Sequence, residues 1–465
     1  MTQGTHGTSA AVTDVDVVVL GLGPGGEASA NKLAKAGLTV VGVERDLVGG
    51  ECPYYGCIPS KMIIRAANAL EESRRVPHLA GSSTTTPDWS IVAERIRSEA
   101  THGWDDSQST KRLEHSGATV ARGHGRITGP RTVEVDGRTF RAARGIVLNT
   151  GTSPGAPPID GLDGTPYWTN RDVFRILELP ASLAVLGAGP IGCELAQAFA
   201  RFGVEVTLLD VADRVLSGEE PEAGALLCTV LGREGVRVMT GIDICCLDHG
   251  DQGFRLRAGE ETITTEKLLV AAGRVAQIAD VGLESVGVDP DVKTLETDGR
   301  MRVTQDGHVV EGLWAVGDIV GKGAFTHTSI YQASVAVRDI LGKDGPEADH
   351  RAVPRVTFTD PEVGSVGLTE QQAREQGRDV RTATVDVAVS SRGWLHHVGN
   401  EGLVKLVAEG DELLGATSVG PMGGEVLSML TTAVHARVPL STLRTMIYPY
   451  PTFSGAVRQA LAELG

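Results

Sequence analysis

The stretch Val15-Asp16-Val17-Val18-Val19-Leu20-Gly21-Leu22-Gly23-Pro24-Gly25-Gly26 decides the architecture of this chain. A short apolar run ends in clustered glycines, a helical stretch follows to Lys35, and Leu38 to Val43 reads as a second strand closed by an acid, Glu44. Strand, glycine turn, helix, strand and acid form the order that a dinucleotide-binding βαβ unit requires. Gly21 makes the turn, Gly23 lets backbone approach a pyrophosphate, and Gly26 lets the helix pack on the sheet. The helix N-terminus is then ready to hold the phosphates.

The unit recurs. Leu183 to Leu186 leads into Gly187-Ala188-Gly189-Pro190-Ile191-Gly192, then a helix to Phe202, a strand Val204 to Leu209 and an acid, Asp210. Acid and first glycine are equally spaced in both copies, Gly21 to Glu44 and Gly187 to Asp210. A lone glycine pattern is weak evidence; two copies with matching strands and acids point to two dinucleotides.

Just after the first unit stands Gly49-Gly50-Glu51-Cys52-Pro53-Tyr54-Tyr55-Gly56-Cys57-Ile58-Pro59-Ser60-Lys61. Five residues of straight helix rise about 7.5 Å, whereas bridged Cα atoms sit roughly 4.4–6.8 Å apart. The expectation is therefore that Cys52 lies at or just before a helix start, with Pro53 as the first helical residue. A helix N-terminus and a nearby lysine both lower thiol pKa, and Lys61 shares the helix face of Cys57. The pair reads as reactive. A zinc site would need a second cluster of Cys or His at short spacing, and none follows.

The 465 residues exceed what one core holds, so two or three domains are expected. A formal charge of −16 argues against nucleic acid or an anionic membrane as partner, and no apolar run approaches the roughly 20 residues of a membrane span. Met1 to Asp14 lacks a signal pattern and reads as a loose polar tail. Six cysteines, of which two stand at motif spacing, suit a reducing, cytoplasmic compartment.

The cysteine stretch, the two glycine turns, Asn149-Thr150-Gly151-Thr152-Ser153-Pro154, Gly312-Leu313-Trp314-Ala315-Val316-Gly317-Asp318 and Val356 to Glu370 occur in the order seen in the FAD-dependent pyridine nucleotide–disulfide oxidoreductases, which the chain resembles from about Asp16 to Leu461. This group includes dihydrolipoamide dehydrogenase, glutathione reductase and mercuric reductase. The resemblance implies an α/β fold: two Rossmann-like dinucleotide-binding domains, three-layered, and a C-terminal α+β dimerisation domain. Residues 1–154 and 275–350 would form the FAD domain, 155–274 the NAD(P) domain and 351–465 the dimerisation domain of a homodimer. Candidate cofactor contacts are Gly21, Gly23, Pro24, Gly26, Glu44, Gly50, Gly125, Thr150, Gly151 and Asp318, together with Gly187, Gly189, Ile191, Gly192, Asp210 and Gly273. Asp318 would bond the flavin's ribityl chain, and the helix beginning at Phe325-Thr326-His327-Thr328 would face its pyrimidine end. Cys57 would be the flavin-facing sulfur and Cys52 the one that meets substrate, with Lys61 beside the flavin and paired with Glu194. Asp210 would hydrogen-bond a free ribose 2′-hydroxyl and so favours NADH over NADPH, although Arg214 nearby offers a phosphate partner.

The end of the chain departs from the disulfide-reducing members. They carry a histidine and, five residues later, a glutamate; here Tyr450 and Gly455 occupy those places. A phenol keeps its proton at neutral pH, so the imidazole's proton shuttling is lost. Mercuric reductases share the tyrosine but add a C-terminal cysteine pair, and this chain has no cysteine after Cys246. Cys245 and Cys246 stand on a strand-like segment, where neighbours point to opposite faces, and read as packing thiols; His396-His397 reads as a solvated loop pair rather than the lining of a substrate mouth. The sequence thus implies an NAD(P)H oxidoreductase with catalytic candidates Cys52, Cys57, Lys61, Glu194 and Tyr450. Its acceptor is a small molecule: a disulfide, a quinone or a soft metal ion. Alternatives are a dihydrolipoamide dehydrogenase and, in another class, a flavin-bound redox sensor without turnover.

Overall fold

The run Val15 to Leu20 lies within a strand, Val12–Leu20, flanked in parallel by Val40–Glu44 and Arg138–Leu148. Val17, Val18 and Val19 are wholly buried, because a central strand of a parallel sheet is covered on both faces. The structure is a computed structural model describing residues 12–465. Val12, Thr13 and Asp14, expected in a polar tail, instead pair with Thr139, Phe140 and Arg141. The ladder joins backbone groups and asks nothing of the side chains. Residues 1–11 of that expected tail lie outside the described residues.

The described chain divides into two compact units. The first comprises the described residues up to Ile58, with Arg97–Ser153 and Arg274–Asp349. Its sheet runs, edge to edge, Arg302–Gln305, His308–Ala315, Arg138–Leu148, Val12–Leu20, Val40–Glu44 and Thr119–Arg122, with Gly125–Gly129 and Thr132–Val135 as an attached hairpin. Helix Pro24–Lys35 packs against helix Thr326–Ile340, and Lys32 Nζ donates to Ser334 Oγ at 2.6 Å.

The second unit comprises Pro59–Ile96, Pro154–Gly273 and His350–Gly465. Ser182–Leu186 lies between Glu205–Leu209 and Lys267–Val270 in a four-stranded parallel sheet completed by Arg237–Met239. An antiparallel sheet of Ile244–Gly250, Gly253–Ala258 and Glu261–Thr265 shares its apolar cluster. The C-terminal part is a five-stranded antiparallel sheet with helices Gly423–His435 and Ser454–Glu463 packed on it. Lys405, on the strand Leu403–Glu409, is buried with Nζ 2.9 Å from Glu220, 2.8 Å from Glu222 and 3.0 Å from Glu370. Burial opposes its charge, yet hydrogen bonds to Glu222, Glu220 and Glu370 carry its pKa above the ordinary lysine range. Among the described residues no helix is long and apolar enough to cross a membrane.

Candidate active site

In the first unit the glycine turn is shaped by close approach. Gly21 has φ of 87°, and a Cβ there would sit 2.3 Å from Asn149 O; a Cβ at Gly26 would sit 1.9 Å from Gly21 O. Gly23 caps helix Pro24–Lys35, with Pro24 as its first residue. Glu44 is buried and accepts from Leu22 N at 2.7 Å and Asp46 N at 2.8 Å. Burial pushes its carboxyl up, and those two N–H groups pull it partly back. Asn149 is a residue that sequence reasoning passed over as linker. Its Oδ1 accepts from Gly26 N at 2.7 Å, while Nδ2 donates to Val316 O at 2.9 Å.

Two side-chain hydroxyls of this unit are left open. Thr150 Oγ1 and Thr328 Oγ1 are buried without a hydrogen-bond partner, a state that ordinarily signals a missing ligand or water. With the glycine turn and the helix N-terminus, these hydroxyls fit a flavin dinucleotide. Gly151 O accepts from Gln277 N at 2.9 Å. Gly125 serves packing: a Cβ would meet Leu20 Cδ2 at 2.5 Å. Asp318 Oδ2 accepts from the Thr152 hydroxyl at 2.8 Å, and that hydroxyl accepts from Arg274 Nε at 2.6 Å. Arg274 Nη2 in turn reaches Glu51 Oε2 at 2.5 Å. A polar chain thus runs from Asp318 to the residue before Cys52.

The thiol segment folds differently from the expected single helix start. Helix Glu51–Tyr55 already contains Cys52 and Pro53, is capped by Gly50, and stops at Gly56 (φ −143°, ψ −113°); a second helix, Cys57–Arg75, begins at the other cysteine. The break relieves the spacing conflict that a continuous helix would impose. A Cβ at Gly50 would lie 2.7 Å from Gly23 Cα, so the thiol segment packs directly on the glycine turn. The Cys52 pKa is raised, not lowered: its hydrogen bond with Cys57, then burial, then the charge of Cys57 push it well up, against a smaller pull from the Thr326 hydroxyl. Thr326 Oγ1 also lies 3.5 Å from Cys57 Sγ. A cleft of about 430 Å³ opens on Cys52 and is lined by Glu27, Asn31, Lys32, Ser109, Arg112 and Ile330, among others.

The second unit repeats the turn. Gly187 has φ of 105°, with Ala271 O 2.4 Å from its would-be Cβ, and a Cβ at Gly192 would stand 1.8 Å from Gly187 O. A Cβ added at Gly189, by contrast, would meet nothing within 4 Å. Asp210 accepts from Ala188 N at 2.5 Å and Ala212 N at 2.8 Å. Ile191, in the first turn of helix Pro190–Arg201, exposes its apolar side chain, and Gly273 O accepts from Gly155 N at 2.9 Å. Arg214 donates to Asp213 and to Ser217 O, and its Nε is buried without a partner. These features fit a second dinucleotide.

Lys61 and Glu194 meet here: Nζ lies 2.9 Å from Oε2 and 4.6 Å from the centre of the Phe358 ring, and buried Glu194 also accepts from Phe358 N at 2.8 Å. Tyr450 is 83% exposed in the loop between helices Leu440–Thr445 and Ser454–Glu463, the latter containing Gly455. Two expectations fail. His396 is no solvated loop residue; it ends helix Ser391–His396 and packs edge-on against Phe453, and burial lowers its pKa. Cys245 and Cys246 do not point to opposite faces: a bulge interrupts the strand register there, and their sulfurs are 3.4 Å apart.

Residues 15–339 match the family model described as pyridine nucleotide-disulphide oxidoreductase, and 353–461 match that family's dimerisation domain. The chain belongs to the class I pyridine nucleotide-disulphide oxidoreductases. It is an FAD-dependent oxidoreductase that uses NAD(P)H, and the dimerisation domain supports a homodimer. It is 32% identical to a dihydrolipoyl dehydrogenase of Thermus scotoductus, over 97% of each chain. Identity to a mercuric reductase of Staphylococcus aureus is 29%, over 96% of this chain and 82% of that protein. Among solved structures, the oxidoreductase is similar to the HOCl-induced flavoprotein disulfide reductase RclA from Escherichia coli (TM-score 0.83, 27% identity, 96% of this chain and 99% of that one). It is also similar to LpdA from Mycobacterium tuberculosis (TM-score 0.85, 25% identity, 97% and 100%). Among the described residues no group of three or more His, Cys, Asp or Glu is placed to hold a metal ion.

Proposed function

We propose that this FAD-dependent enzyme oxidises NADH and delivers the electron pair, by way of the Cys52–Cys57 disulfide, to a small-molecule acceptor: a disulfide, a quinone or a soft metal ion. The cleft lined by Cys52 carries the reading, because it brings a small molecule to one residue of the pair. When bound, FAD supplies the two-electron relay between nicotinamide and disulfide. Residues 1–154 and 275–350 are assigned to FAD, 155–274 to the nicotinamide dinucleotide and 351–465 to the dimer contact. Cys57 takes the flavin side by family resemblance, and Cys52 meets the acceptor.

With a disulfide acceptor, Cys52 sulfur attacks one acceptor sulfur, and the proton it held goes to the thiol released. Cys57 sulfur then attacks Cys52, breaking its bond to the acceptor and re-forming the pair's disulfide, and the Cys57 proton goes to the second acceptor thiol released. Two thiols are oxidised to one disulfide, and one disulfide is reduced to two thiols. Glu194, fixed by the Phe358 N–H, holds the Lys61 ammonium in one place. Asp210 supports NADH, since it offers a carboxylate to the ribose while Arg214 is engaged by Asp213 and Ser217. Exposed Met446, Ile447 and Tyr450 suit burial by a second copy, and the thiol pair suits a reducing cytoplasm.

The full-length similarity to dihydrolipoyl dehydrogenases favours a second reading, dihydrolipoamide oxidation. Tyr450 and Gly455 weigh against it, for the proton shuttle has no imidazole. Cys52→Ser is expected to leave NADH bleaching of the flavin intact while acceptor reduction falls roughly 100-fold or more. Undiminished acceptor reduction would defeat the proposal, and brisk lipoamide turnover in the native enzyme would install the second reading.

A further inference from the structure

Cys245 and Cys246 are consecutive on the strand Ile244–Gly250, in the unit that lacks Cys52 and Cys57. A regular strand would send their sulfurs to opposite faces. Here Ile244 pairs with Ala258 and Cys246 with Arg257, so Cys245 is an extra residue on its strand. Such a bulge re-aims side chains, and it brings the two Sγ atoms to 3.4 Å. The backbone is pinned beside it: Leu247 N donates to Asp160 O at 2.9 Å. Cys245 is exposed and Cys246 half-buried, so a small reagent can reach both.

The spacing selects a geometry. With metal–thiolate bonds of about 2.3 Å, a tetrahedral centre spans its two sulfurs by about 3.8 Å and a linear one by about 4.6 Å. At 3.4 Å the pair lies on the bent side, that of a pyramidal, soft centre. We propose that Cys245 and Cys246 form a vicinal dithiol site that captures trivalent arsenic through two sulfur bonds, apart from the redox pair. With an aryl arsenoxide, both thiol protons leave with the reagent's oxygen as one water, two As–S bonds form, and no oxidation state changes.

The probe is phenylarsine oxide, added to the full-length, FAD-loaded Cys52→Ser/Cys57→Ser protein and read by intact mass after challenge with excess glutathione. One adduct per chain should survive the monothiol, leave on addition of dithiothreitol, and map to the peptide bearing Cys245 and Cys246. Adding either Cys245→Ser or Cys246→Ser should abolish the resistant adduct, with the flavin spectrum unchanged as proof of an intact fold. The proposal is overturned if the parent holds no glutathione-resistant adduct, if the adduct maps to Cys193 or Cys228, or if it persists in either serine variant.

Discussion

At Gly21 an added Cβ would strike Asn149 O at 2.3 Å; at Gly187 it would strike Ala271 O at 2.4 Å. The acids behind the turns match as well, Glu44 on Leu22 N and Asp210 on Ala188 N. What differs is the residue leaving the neighbouring strand. Asn149 carries an amide that hooks Gly26 N, Val316 O and Ser329 Oγ together, and its Oδ1 would stand 3.2 Å from a Cβ added at Gly23. Ala271 has no such reach, and Gly189 looks onto open space. One turn is thus laced to the returning chain and the other left open, a difference that matches the proposed assignment of the first to a retained FAD and of the second to an exchanging nicotinamide dinucleotide.

The sharpest way to break this pairing is to fill the third glycine of each copy. Gly26→Val places a side chain 1.9 Å from Gly21 O and should yield protein without flavin, whereas Gly192→Val, at 1.8 Å from Gly187 O, should yield yellow protein that NADH fails to bleach. Flavin absorbance and anaerobic titration read both, and loss of flavin from the second variant would show that the turns are not independent. Next in size is Asn149→Ala. Leaving Gly26 N and Val316 O without partners should cost about 1–3 kcal/mol, seen in thermal unfolding along with flavin release on dilution. The smallest effect is expected at Asp210→Ala: a shift of roughly tenfold in the NADH to NADPH preference, about 1.4 kcal/mol of differential binding, measured as the ratio of kcat/KM values.

Both turns were legible because their order of strand, glycine, helix and acid leaves few other folds, and Val17 to Val19 lie buried as their continuous apolar run demands. Local patterns failed where tertiary partners decide. Asn149 reads as linker until Gly26, distant in sequence, is brought beside it. The spacing predicts a helix start at Pro53, whereas the chain forms two helices that part at Gly56, between the cysteines. Alternation of side chains along a strand misassigned Cys245 because one residue too many enters the ladder. The acid at Glu51 likewise gained meaning only when Arg274 was found against it.

Lys405 has a consequence for how the C-terminal sheet can move. Glu220 and Glu222 come from the segment that follows the second turn, and Glu370 from the sheet's own neighbourhood. Sliding these parts past one another would part a buried ammonium from the carboxylates that compensate its desolvation. The arrangement therefore works as a rivet, and swinging motions during catalysis must be sought elsewhere in the chain.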